Sequence, residues 1–69
     1  MITLEQIRKG LINAIKQSGL TQVELAKKLN ISQPTVSEYI TGKSMPALDT
    51  FANLCQLLDL DANDILCIR

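Results

Sequence analysis

The turn around Asn30 constrains this chain most, because it separates two apolar-periodic segments too short to fold on their own. Leu25, Ala26 and Leu29 fall at i, i+1 and i+4, and Val36, Tyr39 and Ile40 at i, i+3 and i+4, so each segment buries one face of a helix. Thr21 followed by Glu24 is a capping box, in which hydroxyl and carboxylate each satisfy one amide that lacks an intrahelical partner; a helix therefore opens at Gln22. Asn30 tolerates the left-handed backbone that ends a helix, and Ile31 can fold apolar surface back onto Leu25 or Ala26. Ser32 offers a second N-cap, and Pro34 lies in the first helical turn, where its missing N–H costs nothing. The second helix runs to Thr41 and stops at Gly42. Two short amphipathic helices joined by such a tight turn predict a helix-turn-helix over residues 22–41.

The flanking sequence extends the helical reading. Thr3 and Gln6 repeat the capping-box pattern ahead of Leu4, Ile7, Leu11, Ala14 and Ile15, and Gly19-Leu20 is expected to close that helix as a Schellman motif. Lys43 to Pro46 reads as a loop. Leu48, Phe51, Ala52, Cys55 and Leu58 set out a fourth helix ended by Asp59-Leu60, and Asp61 caps a last short helix from Ala62 to about Cys67. No strand signal, repeat or linker interrupts the pattern, so the expectation is one all-α, five-helix domain over residues 1–69. A core of this size supplies only roughly 3–5 kcal/mol of net stability, which favours help from dimerisation.

With Gln22, Ala26, Asn30 and Val36 at the first, fifth, ninth and fifteenth positions of a twenty-residue motif, the chain resembles the Cro/CI-type (XRE-like) phage repressors and their bacterial relatives. The resemblance runs from Ile7 to Leu66, is strongest from Leu20 through Lys43, and implies a compact lambda-repressor-like fold. Ala26 has a mechanical reason to be small, since the two helices cross there. Two positions depart from the family pattern. Ile40 replaces an acidic or polar residue, as an exposed apolar spot or an added core contact; Ala47 replaces a frequent capping Ser, leaving Asp49 to tend the amides of the fourth helix.

Once Val36, Tyr39 and Ile40 are buried, Gln33, Thr35, Ser37, Glu38 and Thr41 are left to supply the outward face of the second motif helix. The resemblance implies that its first, second and sixth residues, Gln33, Pro34 and Glu38, meet base edges in a major groove. Gln33 can pair with adenine N6 and N7 or contact guanine, Pro34 offers carbon to a thymine methyl, and Glu38 can accept from cytosine N4. Thr35 and Ser37 are supporting contacts. The resemblance also assigns Gln22 to a backbone phosphate, at a helix start whose amides and dipole favour an anion, with its amide bracing Gln33. Ser32 lies beside a phosphate as well as capping; Thr41 and Lys43 are the matching contacts on the far side, Gly42 and Lys43 also through backbone N–H. Blander readings stand beside these: Gln22 as an ordinary first-turn residue, Lys27 and Lys28 as solvated surface, and Glu38 in a surface ion pair with Lys43 worth roughly 0–1 kcal/mol.

Formal net charge is zero, but its distribution is uneven: residues 1–43 hold six cations against Glu5, Glu24 and Glu38, whereas residues 44–69 hold only Arg69 against Asp49, Asp59, Asp61 and Asp64. A basic reader joined to an acidic tail suits duplex DNA bound with fewer released counterions than a very basic protein shows. No apolar run reaches membrane length and no signal-peptide pattern is present, so the expected setting is cytoplasmic. Cys55 and Cys67 read as reduced core or near-core thiols. With no His and no metal-ligand or nucleophile-base spacing, no enzyme, metal, cofactor or small-molecule ligand is expected. The favoured function is a transcriptional regulator, a repressor occupying a palindromic operator as a homodimer with half-sites about 34 Å apart. A same-class variant is an antitoxin or restriction-modification controller; a different-class rival is a protein-interaction module that has lost DNA, motivated by zero net charge and Glu38. Ile65, Leu66 and Ile68 are the candidate dimer seam, unless Ile65 and Leu66 complete the monomer core.

Overall fold

Both capping boxes form and set the register of the first two helices. In the computed structural model, which describes residues 1–68, Thr3 Oγ1 accepts the Gln6 N–H at 3.2 Å while Gln6 Oε1 accepts the Thr3 N–H at 2.9 Å, opening α1 (Leu4–Gln17). Arg69, the one cation of the acidic tail, lies outside the described residues. Thr21 and Glu24 repeat the exchange at 3.1 and 3.0 Å to open α2 (Gln22–Leu29). Then follow α3 (Gln33–Thr41), α4 (Leu48–Leu57) and α5 (Ala62–Ile65), with no strand among the described residues. The fold is the expected all-α, lambda-repressor-like one.

One device ends four of the five helices. Asn30 (φ 57°) closes α2 and lets the Ile31 N–H donate to the Ala26 carbonyl at 3.0 Å; Gly42 (φ 81°) closes α3 with Lys43 N–H on the Glu38 carbonyl at 2.9 Å. Asp59 (φ 53°) and Cys67 (φ 63°) do the same for α4 and α5, through Leu60 N–H to Cys55 and Ile68 N–H to Asn63. The left-handed Cys67 therefore stops α5 at Ile65, short of the expected end. The Schellman closure expected for α1 is replaced by a side-chain relay. Gly19 is left-handed (φ 77°), but the Ser18 hydroxyl donates to the Ile15 carbonyl at 2.6 Å and accepts the Leu20 N–H at 3.2 Å.

The core draws on every helix: Leu11 and Ile15 from α1, Leu25 and Ala26 from α2, Val36 and Tyr39 from α3, Leu54 from α4 and Ile65 from α5. Full burial of such a side chain is worth about 1.5–3 kcal/mol. Ile40 packs against this cluster, so the departure from the family pattern adds a core contact. α3 packs against α2 most extensively and against α1 as well, which leaves its remaining face outward. Three residues placed on apolar stripes are instead exposed: Leu4, Leu48 and Ala52. Leu48 and Ala52, four apart, share a face of α4 turned to solvent, while Phe51, Leu54, Cys55 and Leu58 form the inward one.

α5 docks on α1 at Gly10, where a Cβ would meet the Ile65 carbonyl oxygen at 3.5 Å. Ile65, 7% exposed, is thereby part of the monomer core; Leu66 is half-buried and Ile68 exposed. The candidate seam is reduced to those last two. α4 begins at Ala47 without a side-chain cap, and Asp49 Oδ1 tends only the Thr50 N–H, at 2.8 Å. Both cysteines are free; burial pushes the Cys55 thiol up, keeping it protonated, whereas Cys67 is exposed rather than near-core.

Candidate nucleic-acid interface

The reading surface is built from the first turns of α2 and α3, brought together by the Asn30 closure. The Gln33 side-chain amide donates to Gln22 Oε1 across that gap, the bracing that the family resemblance implied. Gln22 is half-buried and Gln33 exposed, so the pair fixes the Gln33 amide plane while leaving its other groups free. The Gln22 and Val23 N–H groups at the start of α2 have no partner among the described residues, since the cap serves Glu24 and the Leu25 N–H bonds the Thr21 carbonyl. Two amides and the helix dipole thus point at the place where an anion is expected.

At the start of α3 the Ser32 hydroxyl accepts the Thr35 N–H at 3.3 Å and pairs with Thr35 Oγ1 at 2.6 Å. Each of these hydroxyls is engaged with the other, and between them one hydrogen is left to donate outward. Ser32 and Pro34 are exposed, with Thr35 and Ser37 half-buried. Glu38 is exposed one and a half turns further on, on the far part of the same helix. Together with Gln33 they give α3 a small polar outer face in which only Glu38 is charged.

The C-terminal end of α3 differs from the sequence reading in three respects. Glu38 and Lys43 form no ion pair among the described residues; they are tied through the backbone, Lys43 N–H to the Glu38 carbonyl. The Gly42 N–H is likewise taken, by the Tyr39 carbonyl at 3.3 Å. Backbone donation to a phosphate from these two residues is therefore unavailable while the cap is intact, because the left-handed closure consumes both N–H groups. Thr41 donates its hydroxyl to the Ser37 carbonyl at 3.0 Å, so it meets a partner outside the helix as an acceptor or after rotation. Lys43 itself is exposed. Beneath this edge Tyr39 is buried; burial first, and then the charges of Glu38 and Asp49, push its phenol up and keep it neutral.

Arg8 lies at this edge and was missed from sequence. Its Cδ sits 3.1 Å from where a Gly42 Cβ would be, and its Nη1 donates to Glu5 at 2.8 Å. The spacing of Glu5 and Arg8 signals a helix-surface pair and says nothing of a turn at the other end of α3.

A paired-helix motif with an outward polar second helix defines a DNA-binding regulatory domain, and residues 11–65 match the helix-turn-helix family. The chain belongs to that family, the Cro/CI-type, XRE-like regulators. It is 43% identical over 54 residues to the proteins named antitoxin HipB of Escherichia coli O6:H1 (strain CFT073) and of Escherichia coli strain K12. Those alignments cover 72% of this chain and 57% and 61% of the relatives, so the chain spans about three-fifths of the length of the curated relatives it matches. No solved structure matches the chain. Among the described residues no helix is long and apolar enough to cross a membrane.

Proposed function

We propose that this chain is a sequence-specific, double-stranded DNA-binding repressor, acting in the cytoplasm as a homodimer on a palindromic operator with α3 in the major groove. The observation that carries the reading is the Gln22–Gln33 hydrogen bond, which orients a base-reading amide from a residue placed beside unpartnered helix-start amides. Gln33, Pro34 and Glu38 face base edges, Thr35 and Ser37 support them, and Gln22, Ser32, Thr41 and Lys43 hold phosphates on either side. Half-buried Leu66 and exposed Ile68, at the end of the tail, join the two protomers. The similarity to proteins named antitoxin favours a specific form of this reading, a repressor that also neutralises a toxin.

Selection of bound sequences from a random duplex pool tests the proposal. A short inverted repeat is expected, and Gln33→Ala is expected to relax preference at one position per half-site at a cost of roughly 1–3 kcal/mol. An unenriched pool, with no duplex shifted even at low salt, overturns it in favour of a protein-interaction module.

A further inference from the structure

Arg8 is unusual in this molecule. Its Nε is buried and has no hydrogen-bond partner, the sole such side-chain nitrogen or oxygen found among the described residues. The Gly42 turn lies beside this edge of the guanidinium: Nε is 3.7 Å from the position a Gly42 Cβ would take. The cation has been partly stripped of water, and a single exposed carboxylate, Glu5, answers it through Nη1. A buried guanidinium edge left unpaired is costly. The stem passes close to Gly42, its Cδ 3.1 Å from where a Cβ would be, and Nη1 is tied to Glu5, so part of the side-chain freedom is already lost before a ligand arrives. Lys43, by contrast, is exposed one residue beyond Gly42 and tied only through its backbone.

Resting on the DNA-binding reading above, we propose that Arg8 is a further phosphate contact: the guanidinium that α1 carries over Gly42 exchanges Glu5 for a backbone phosphate on the Lys43 side of the groove. Glu5 holds the guanidinium in position until then. A phosphate offers more charge and more acceptor oxygens than a solvated carboxylate, and charge-assisted bonds to it are among the stronger ones. Gly42 accordingly does two things, taking the left-handed conformation that ends α3 and leaving room for the arginine stem.

The test is a salt titration of duplex binding with the full chain. Arg8→Met keeps a stem across Gly42 and removes the charge; affinity is expected to fall by roughly three- to tenfold, equally on all sequences, and the slope of log affinity against log salt to lose about one unit. Arg8→Lys should retain the slope. Glu5→Gln should tighten binding when Arg8 is present and have less effect in the Arg8→Met background. If Arg8→Met does not fold, Arg8→Lys and Glu5→Gln in the unaltered background still decide: a slope lost in folded Arg8→Lys, or no tightening by Glu5→Gln, overturns the inference. An unchanged slope in folded Arg8→Met, or equal tightening by Glu5→Gln in both backgrounds, reduces Arg8 to a structural prop and overturns the inference alone. Failure of the unaltered protein to bind duplex at low salt overturns the DNA-binding reading itself.

Discussion

The α2–α3 motif and the α4–α5 tail differ in how completely their helix ends are closed. In the motif every helix end is closed by a matched local device: the Thr21–Glu24 box, left-handed Asn30, the Ser32 cap and Gly42. In the tail, α4 starts on Ala47 with no side-chain cap, Leu48 is 85% exposed, and the left-handed positions fall to Asp59 and Cys67 rather than to Gly or Asn. The tail is secured mainly by what it buries, Leu54 and Cys55 in α4 and Ile65 in α5. Burial tolerates small displacements of a helix along its axis, whereas a hydrogen bond such as that between Gln22 and Gln33 does not. The tail has its own left-handed closures and an Asp61 cap, so the contrast comes down to one helix start: α4 begins uncapped, whereas both motif helices, where relative placement of side chains matters, begin on a side-chain cap.

The same substitution made in both regions gives the largest expected contrast. Ala26, 5% exposed where α2 and α3 cross, has no room to grow; Ala52 in α4 faces solvent. Ala26→Leu is expected to destabilise by about 1–3 kcal/mol and Ala52→Leu to stay within about 0.5 kcal/mol, measured as shifts in urea midpoint at unchanged slope. Ala26→Leu should also lower duplex affinity under conditions where the protein is still folded, because spreading the helices separates Gln22 from Gln33. Similar losses from both variants would show that the motif is packed no more tightly than the tail.

A smaller contrast lies in the caps. Ser32→Ala removes the hydroxyl that receives the Thr35 N–H and is expected to cost about 1 kcal/mol. Ala47 already has the extended backbone of an N-cap, φ −61° and ψ 161°, so Ala47→Ser adds a cap without strain and should stabilise by roughly 0.5–1 kcal/mol. Thermal melts of the two variants should move in opposite directions. An Ala47→Ser melt that does not rise would mean that Asp49 already serves the first turn of α4 sufficiently.

Local chemistry was what the sequence made legible. Capping boxes, left-handed turn residues and helical spacing act within about four residues, so the helix starts and the Asn30 and Gly42 closures followed from residue types alone. Spacing identifies a face without saying whether another element covers it, which is why Leu4 and Leu48 appeared to be core and are exposed. Ile65 was ambiguous for the converse reason: its burial depends on α5 returning to Gly10 of α1. At the interface, the Gln22–Gln33 bond was legible only through the family resemblance, which implied that the Gln22 amide braces Gln33. The Glu38–Lys43 ion pair, one of the two readings of Glu38, does not form among the described residues; spacing suggests charge contact and cannot show that the backbone joins the two residues instead. Arg8 was invisible because its neighbour in space is the far end of α3.

The smallest effect separates the two capping boxes, which share one geometry and differ in charge. Thr3 is capped by neutral Gln6 and Thr21 by Glu24. The hydrogen bond from the Thr21 N–H, followed by that from its side chain, holds the Glu24 carboxyl below the ordinary glutamate value, against an opposing desolvation that exceeds the further lowering by Lys28. A carboxyl with a lowered pKa in the folded state contributes stability that is present above its unfolded pKa and is lost as pH falls through the lowered folded value. Glu24→Gln keeps an acceptor for the Thr21 N–H and removes the titration, so it should flatten the acid limb of stability. Gln6→Glu should impose a new acid limb through α1. Urea unfolding at a series of acidic pH values reads both changes. If Glu24→Gln leaves the acid limb as steep as before, the carboxylate charge adds nothing to the Thr21 cap, and the two boxes are equivalent despite their different chemistry.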